Sequence, residues 1–101
     1  MSYEKTLLSS ATGLNDGQWI PYVYHPASVD VSGITTATVQ IRGSNDEVKP
    51  DDATHGRQLG TDVTADAIVL IPAPVKWIKA RVTAYTAGSI TARLCGARAW
   101  P

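Results

Sequence analysis

The residues best suited to chemistry lie in a polar stretch, "GSNDEVKPDDATHG" at positions 43–56, which gathers Asp46, Glu47, Asp51 and Asp52. Carboxylates at that density could serve Ca²⁺, an ion that takes several carboxylate and carbonyl oxygens. They lack the D-x-[DN]-x-[DN]-G spacing of a Ca²⁺ loop, and Lys49-Pro50 stands among them, so the stretch reads as a solvated loop. His25 in "YHPA" and His55 in "THGR" could be joined on paper to a serine and an aspartate. No nucleophile elbow or comparable spacing supports such a set, and Tyr24-His25-Pro26 reads as a turn. Cys95 is the single cysteine, so no intramolecular disulfide can form, which fits assembly in a reducing cytoplasm. With no histidine near it in sequence, it reads as a small hydrophobe rather than a reactive thiol. Zinc spacing, a phosphate-cradling glycine loop and an aromatic-basic nucleic-acid platform are all missing from the chain. The expectation is a protein that is not an enzyme and carries no catalytic residues, no cofactor and no metal.

What remains is a set of basic side chains with a regular spacing. In "WIKARVTAYTAGSITARL", positions 77–94, Lys79, Arg81 and Thr83 share one parity with Thr91 and Arg93. Ile78, Ala80, Val82 and Ala84 hold the other parity before a Gly-containing break, and Ile90, Ala92 and Leu94 hold it after. Alternation at period two signals strands with one buried face. Thr86-Ala87-Gly88 then reads as a hairpin connection, with Gly88 supplying a left-handed conformation. A three-residue loop pairs Ala84 with Ile90, Val82 with Ala92 and Ala80 with Leu94, which keeps apolar opposite apolar. The same register sets Arg81 opposite Arg93, a like-charge pair that costs up to roughly 1 kcal/mol unless neutralised. Solvent or an Asp on the next strand could relieve it, or the stripe could await an acidic partner.

The elements that must position these residues are short and extended. The 101 residues make one domain, able to bury about 60–70% of its unfolded surface. Nine basic and nine acidic residues cancel, which argues against bulk attraction to nucleic acid or membrane. Residues 1–11 lack a basic n-region and a long apolar h-region, so no signal peptide is expected, and no apolar stretch is long enough to span a bilayer. Thr, Val, Ile and Ala dominate, Gly, Pro, Asn and Asp interrupt every few residues, and no 3.6-residue apolar period persists. That pattern predicts an all-β fold, an antiparallel β-sandwich of jelly-roll-like type.

Strands are expected near residues 3–9 and 18–24 (interrupted by Pro21), around Val29 and Val31, and over 36–42 with Ala37, Val39 and Ile41 inward. Another is expected within 57–64. The domain spans 1–101, with 1–16 as N-terminal arm or first strand and 96–101 as C-terminal tail. "AIVLI", residues 67–71, is apolar on both parities and predicts a strand buried on both faces, covered by an arm or by another subunit. The inner face of the final hairpin is small, with Ala80, Ala84 and Ala92. Trp19, Tyr22 or Trp77 must therefore fill the core against it.

Three stretches, "ATGLNDGQWIP" (11–21), "VDVSGITTATVQIRGSNDE" (29–47) and "VKWIKARVTAYTAGSITARL" (75–94), resemble the small β-sandwich virion proteins of tailed bacteriophages. Those share a Gly-x-Trp-x-Pro start, a V-S-G strand followed by A-T-V-x-L-x-x-S-x-D, and a late strand closing in T-A-x-L. "GSND" followed by "WIKARV" also looks like two strands of discoidin-type jelly rolls, many of which bind carbohydrates. This chain has Glu47-Val48-Lys49-Pro50 where those have Gly-x-x-Trp. The resemblance implies a structural role on a virion assembled in the bacterial cytoplasm, most simply a capsid decoration or cement protein. A tail-associated or receptor-binding, carbohydrate-binding module is the alternative. The implied partner is the major capsid protein or another virion protein, contacted as a homo-oligomer or symmetric array. The residues expected to make that contact are Lys79, Arg81 and Arg93 on the outer hairpin face, Leu7, Leu8 and Trp100 in the arms, and Ile68 and Val69 in the apolar strand.

Overall fold

Alternation of Val, Ile and Ala with Ser, Thr and Asp runs through "ASVDVSGITTATVQIRGS" and "WIKARVTAYTAGSITARLCGA", and each of these segments folds as one long strand. The structure, a computed structural model, describes residues 2–22, 27–50, 56–71 and 74–97. Its elements are β1 (Ser2–Ala11), β2 (Ile20–Pro21), β3 (Ala27–Ser44), β4 (Arg57–Gln58), β5 (Ala67–Leu70) and β6 (Trp77–Ala97). β3 and β6 lie antiparallel along their whole length, from Ala27 opposite Gly96 to Ser44 opposite Trp77. The other strands attach to one half or the other of this pair. β1 joins the C-terminal half of β6, and β5 the N-terminal half of β3. At the other end β2 joins β6 near Ile78, and β4 joins β3 near Arg42. The fold is an all-β antiparallel sandwich, as the strand pattern predicts.

The expected hairpin at residues 86–88 does not form. Those residues lie inside β6, and Ala84 stands opposite Thr38 of β3 rather than Ile90. The ladder instead bends, with register irregularities confined to the stretch between Ser32 and Val39. Gly33 and Gly88 face this bend with φ of 83° and 131°, values that L side chains rarely adopt. A side chain on Gly33 would strike the Ser89 carbonyl oxygen, and one on Gly88 would come within 2.5 Å of the Gly33 carbonyl oxygen. The sequence signal was real, but a paired bulge and a hairpin use the same glycine. The spacing from Val82 to Ile90 is even, so both geometries keep the same parity inward. Hence Ile78, Ala80, Val82, Ile90, Ala92 and Leu94 are all buried, with Val29, Val31, Val39 and Ile41 from β3, in a single core. Full burial of each Val, Ile or Leu contributes about 1.5–3 kcal/mol. Ala84, expected inward, is exposed at the bend.

Of the two readings of residues 1–16, arm or first strand, the strand is the one that forms, over Ser2–Ala11, and Leu7, Leu8 and Ala11 belong to the core. Strict alternation would put Leu7 and Leu8 on opposite faces. Register shifts between Thr6 and Leu8 and between Leu8 and Ala11 let both turn inward. The 67–71 run, expected to be buried on both faces, is covered on one face alone, and there only in part: Ile71 is buried and Val69 half-buried, whereas Ala67 is exposed and Ile68 and Leu70 are 67% and 77% exposed. Tyr22 belongs to the core, Trp19 is buried with its ring beside the Lys79 ammonium, and Trp77 stays half-buried, its indole N–H donating to the Asp46 carbonyl at 3.1 Å. Trp100, the end of the 96–101 tail, Tyr24, His25, Asp51, Asp52 and His55 lie outside the described residues.

Candidate functional site

The basic residues of β6 are separated by the fold. Arg81 stands opposite Gln40 on β3, and Arg93 stands between Asp30 of β3 and Thr6 of β1. Their expected mutual opposition is therefore absent, because the strand between them is continuous. Each arginine has its own carboxylate: Arg81 Nη2 reaches Asp16 Oδ1 at 3.1 Å, and Arg93 Nη2 reaches Glu4 Oε1 at 3.3 Å. Arg81 is mostly covered, and its Nε is buried without a hydrogen-bond partner. Lys79 is 1% exposed, with its ammonium 5.2 Å from the centre of the Trp19 ring. A cation over an aromatic face is attracted by the ring quadrupole, and the long stem packs as a hydrophobe. Of the expected basic docking stripe, Lys79 and Arg81 are thus mostly covered, whereas Arg93 stays more than half exposed beside Glu4. Leu7 and Leu8 are core residues, unavailable to a partner.

The acidic side chains are also engaged locally. Asp66 Oδ1 accepts the Ile34 N–H at 2.8 Å, holding the chain beside the bend, and Asp62 Oδ1 accepts from Gln58 Nε2 at 2.8 Å. In the polar loop, Asn45 Oδ1 accepts the Lys76 N–H at 3.0 Å, and Ser44 Oγ accepts the Asp46 N–H at 3.2 Å. Among the described residues no group of three or more His, Cys, Asp or Glu could hold a metal ion. Cys95 is exposed, on the outer parity as its position in the alternation requires.

Among the described residues, two surface features bear on a partner or ligand. The first is β5. Among the described residues it pairs with β3 alone, so its far side is a free sheet edge carrying the exposed Ile68 and Leu70. Of the described residues expected to contact a partner, Ile68 and Arg93 are exposed, and of these two Ile68 is the apolar one; Leu70 joins it, although the sequence did not single it out. The second is a shallow cleft of about 300 Å³ at the bend, lined by Thr35, Thr36, Thr38, Thr64 and Thr86 beside Tyr85. Sequence reading missed it, although Thr35, Thr36 and Thr38 follow Gly33, and Thr86 and Thr91 flank Gly88. Tyr85 donates its hydroxyl to the Gly88 carbonyl at 2.6 Å, which fixes the ring along the bend.

No protein-family model matches the sequence, and no curated protein matches it. Among solved structures, the fold is similar to the crystal structure of the SPBc2 prophage-derived protein YomS. The TM-score is 0.69 at 15% sequence identity, and the likeness covers 94% of this chain and 91% of that one. It is a likeness of fold, and it runs almost end to end.

Proposed function

We propose that the chain is a phage-encoded, non-enzymatic structural protein of the virion, of the capsid decoration or cement kind. The observation that supports this reading most is the end-to-end fold likeness to a prophage-derived protein. It agrees with the sequence's resemblance to small virion β-sandwiches. The fold also suits such a role. Arg81 and Arg93 pair with carboxylates of the same chain, and large exposed apolar side chains sit at Leu14, Val48, Ile68 and Leu70. A shell repeats one contact many times, so a small domain with a modest apolar contact gains avidity from its neighbours. Quantitative mass spectrometry of purified particles tests it. The expected result is this chain present in proportion to the major capsid protein; particles that lack it, or hold it only at the few copies of a tail fibre, overturn the decoration reading.

The threonine-rich cleft at the bend favours a second reading, a carbohydrate-binding module for host attachment. Threonine hydroxyls both donate and accept, which suits sugar hydroxyls. A glycan array read with wild type and with Thr36→Val and Thr86→Val separates the two: loss of a wild-type signal in these variants supports carbohydrate binding, and no signal from wild type removes it.

A further inference from the structure

The geometry points to self-association of this chain through β5, by antiparallel pairing of its free edge with β5 of a second copy around a two-fold axis at Val69. The inference does not rest on the virion reading. It follows from three features of one short strand.

The first is the direction of the main-chain groups. The Ile71 N–H donates to the Ala27 carbonyl at 3.0 Å, and Val69 stands opposite Val29. In an antiparallel ladder, alternate residues aim both N–H and C=O at the same neighbour. Val69 and Ile71 therefore aim theirs at β3, and Ile68 and Leu70 aim theirs away from it. An occupant must bring main-chain donors and acceptors, which means a strand.

The second is side-chain chemistry. On the outer face of this half of the sandwich, Ile68 neighbours Asp30 and Arg93 in one row, and Leu70 neighbours Ser28 and Cys95 in the next. Apolar character on this face gathers at its β5 margin. A partner strand that covers Ile68 and Leu70 needs apolar residues at two alternating positions. With the axis at Val69, Ile68 pairs with the second copy's Leu70 and Leu70 with the second copy's Ile68. The four side chains then close on one another, and no charge is opposed to a like charge within the paired residues.

The third is the contrast between the two edges of that half-sheet. β1 carries Glu4 and Lys5 and is broken by register shifts, devices that blunt an edge. β5 has neither charge nor bulge over its length. Net charge is zero, so two copies do not repel in bulk. The edge that β5 matches in a second molecule is β5 itself.

Two paired four-residue strands bury less than the roughly 1,200 Å² of a stable complex, so the free protein should dimerise weakly. Sedimentation equilibrium of the full chain should show monomer at low micromolar concentration and dimer growing in between about 0.1 and 1 mM. Pairing at Val69 is of the non-hydrogen-bonded kind, where Cα atoms approach to about 4.5 Å, within reach of a disulfide. In a Cys95→Ser background, Val69→Cys should therefore form a disulfide-linked dimer on mild oxidation. Ala67→Cys should not, because its two copies would lie about 13 Å apart along the strands. Ile68→Pro removes one outward N–H without touching the ladder to β3, and Leu70→Lys adds a charge at an exposed site. Both should melt near wild type and stay monomeric at 1 mM. A wild type that is monomeric throughout and a Val69→Cys that fails to link overturn the proposal. So does dimerisation that survives both Ile68→Pro and Leu70→Lys, which would place the contact elsewhere.

Discussion

Arg81 and Arg93 carry the same charge on one strand and differ in what surrounds them. Arg81 is four-fifths covered and meets Asp16, whereas Arg93 and Glu4 are each more than half exposed. Exposed pairs contribute about 0.2–1 kcal/mol at most, and salt screens them. Arg81→Glu should set a second carboxylate against Asp16 and lower the Tm by about 4–8 °C, the shift that follows from 1 kcal/mol in a domain of this size. Arg93→Glu should move it by less than half as much, and thermal melts of the two variants side by side decide the ranking. Tyr22 gives a pH signature. Burial raises its phenol pKa above the ordinary 10.0, because the charged phenolate is poorly solvated. The folded state then holds this proton more tightly than the unfolded state. That contribution is fully present below pH 10 and is lost as pH rises through the folded value. Urea titrations at pH 9 and pH 11 should show wild type losing more stability over this interval than Tyr22→Phe does.

At the level of elements, β1 and β5 exchange the roles that composition suggested for them. β1 looks polar and terminal, yet the core contains three of its residues, Leu7, Leu8 and Ala11. Deleting residues 1–11 should unfold the domain, visible as loss of the cooperative melt. Leu8→Ala alone should cost about 2–5 kcal/mol in urea denaturation. β5 looks like a doubly buried strand and is an edge with one wet face. Val69→Asp should therefore destabilise strongly, since its side chain turns toward the core, where an unpaired charge costs several kcal/mol. Ile68→Asp should melt close to wild type. Equal losses in the two variants would mean that both faces of β5 are covered in the isolated protein.

The whole molecule is organised by one long-range pairing. β3 and β6 meet from end to end, although β4, β5 and their loops intervene in sequence. Loop closure has to be met before such a ladder is rewarded, so folding should be slow for the size, on the order of milliseconds to seconds rather than microseconds. Stopped-flow tryptophan fluorescence checks this directly, since Trp19 is buried against the pair. A sub-millisecond phase carrying the full amplitude would show that local contacts dominate instead.

The all-β class and the inward sets Ala37, Val39, Ile41 and Ile78, Ala80, Val82, Ile90, Ala92, Leu94 were legible in the sequence, because burial alternates at period two whatever the strands do next. That large side chains must fill space over small residues was legible for a similar reason, since cores pack to near-constant density, but the choice of Tyr22 among Trp19, Tyr22 and Trp77 was not. Connectivity was not. Gly88 serves a hairpin and a bulge equally well, and the choice was made by Gly33 on the distant β3, whose own bend accommodates it. Nor could spacing along β6 tell which carboxylates reach Arg81 and Arg93. Asp16 and Glu4 arrive on segments placed by the tertiary fold. The exposure of Ile68 and Leu70 was decided in the same way. An apolar run announces that its residues avoid water, but which of its faces the sandwich covers depends on where the sheet ends.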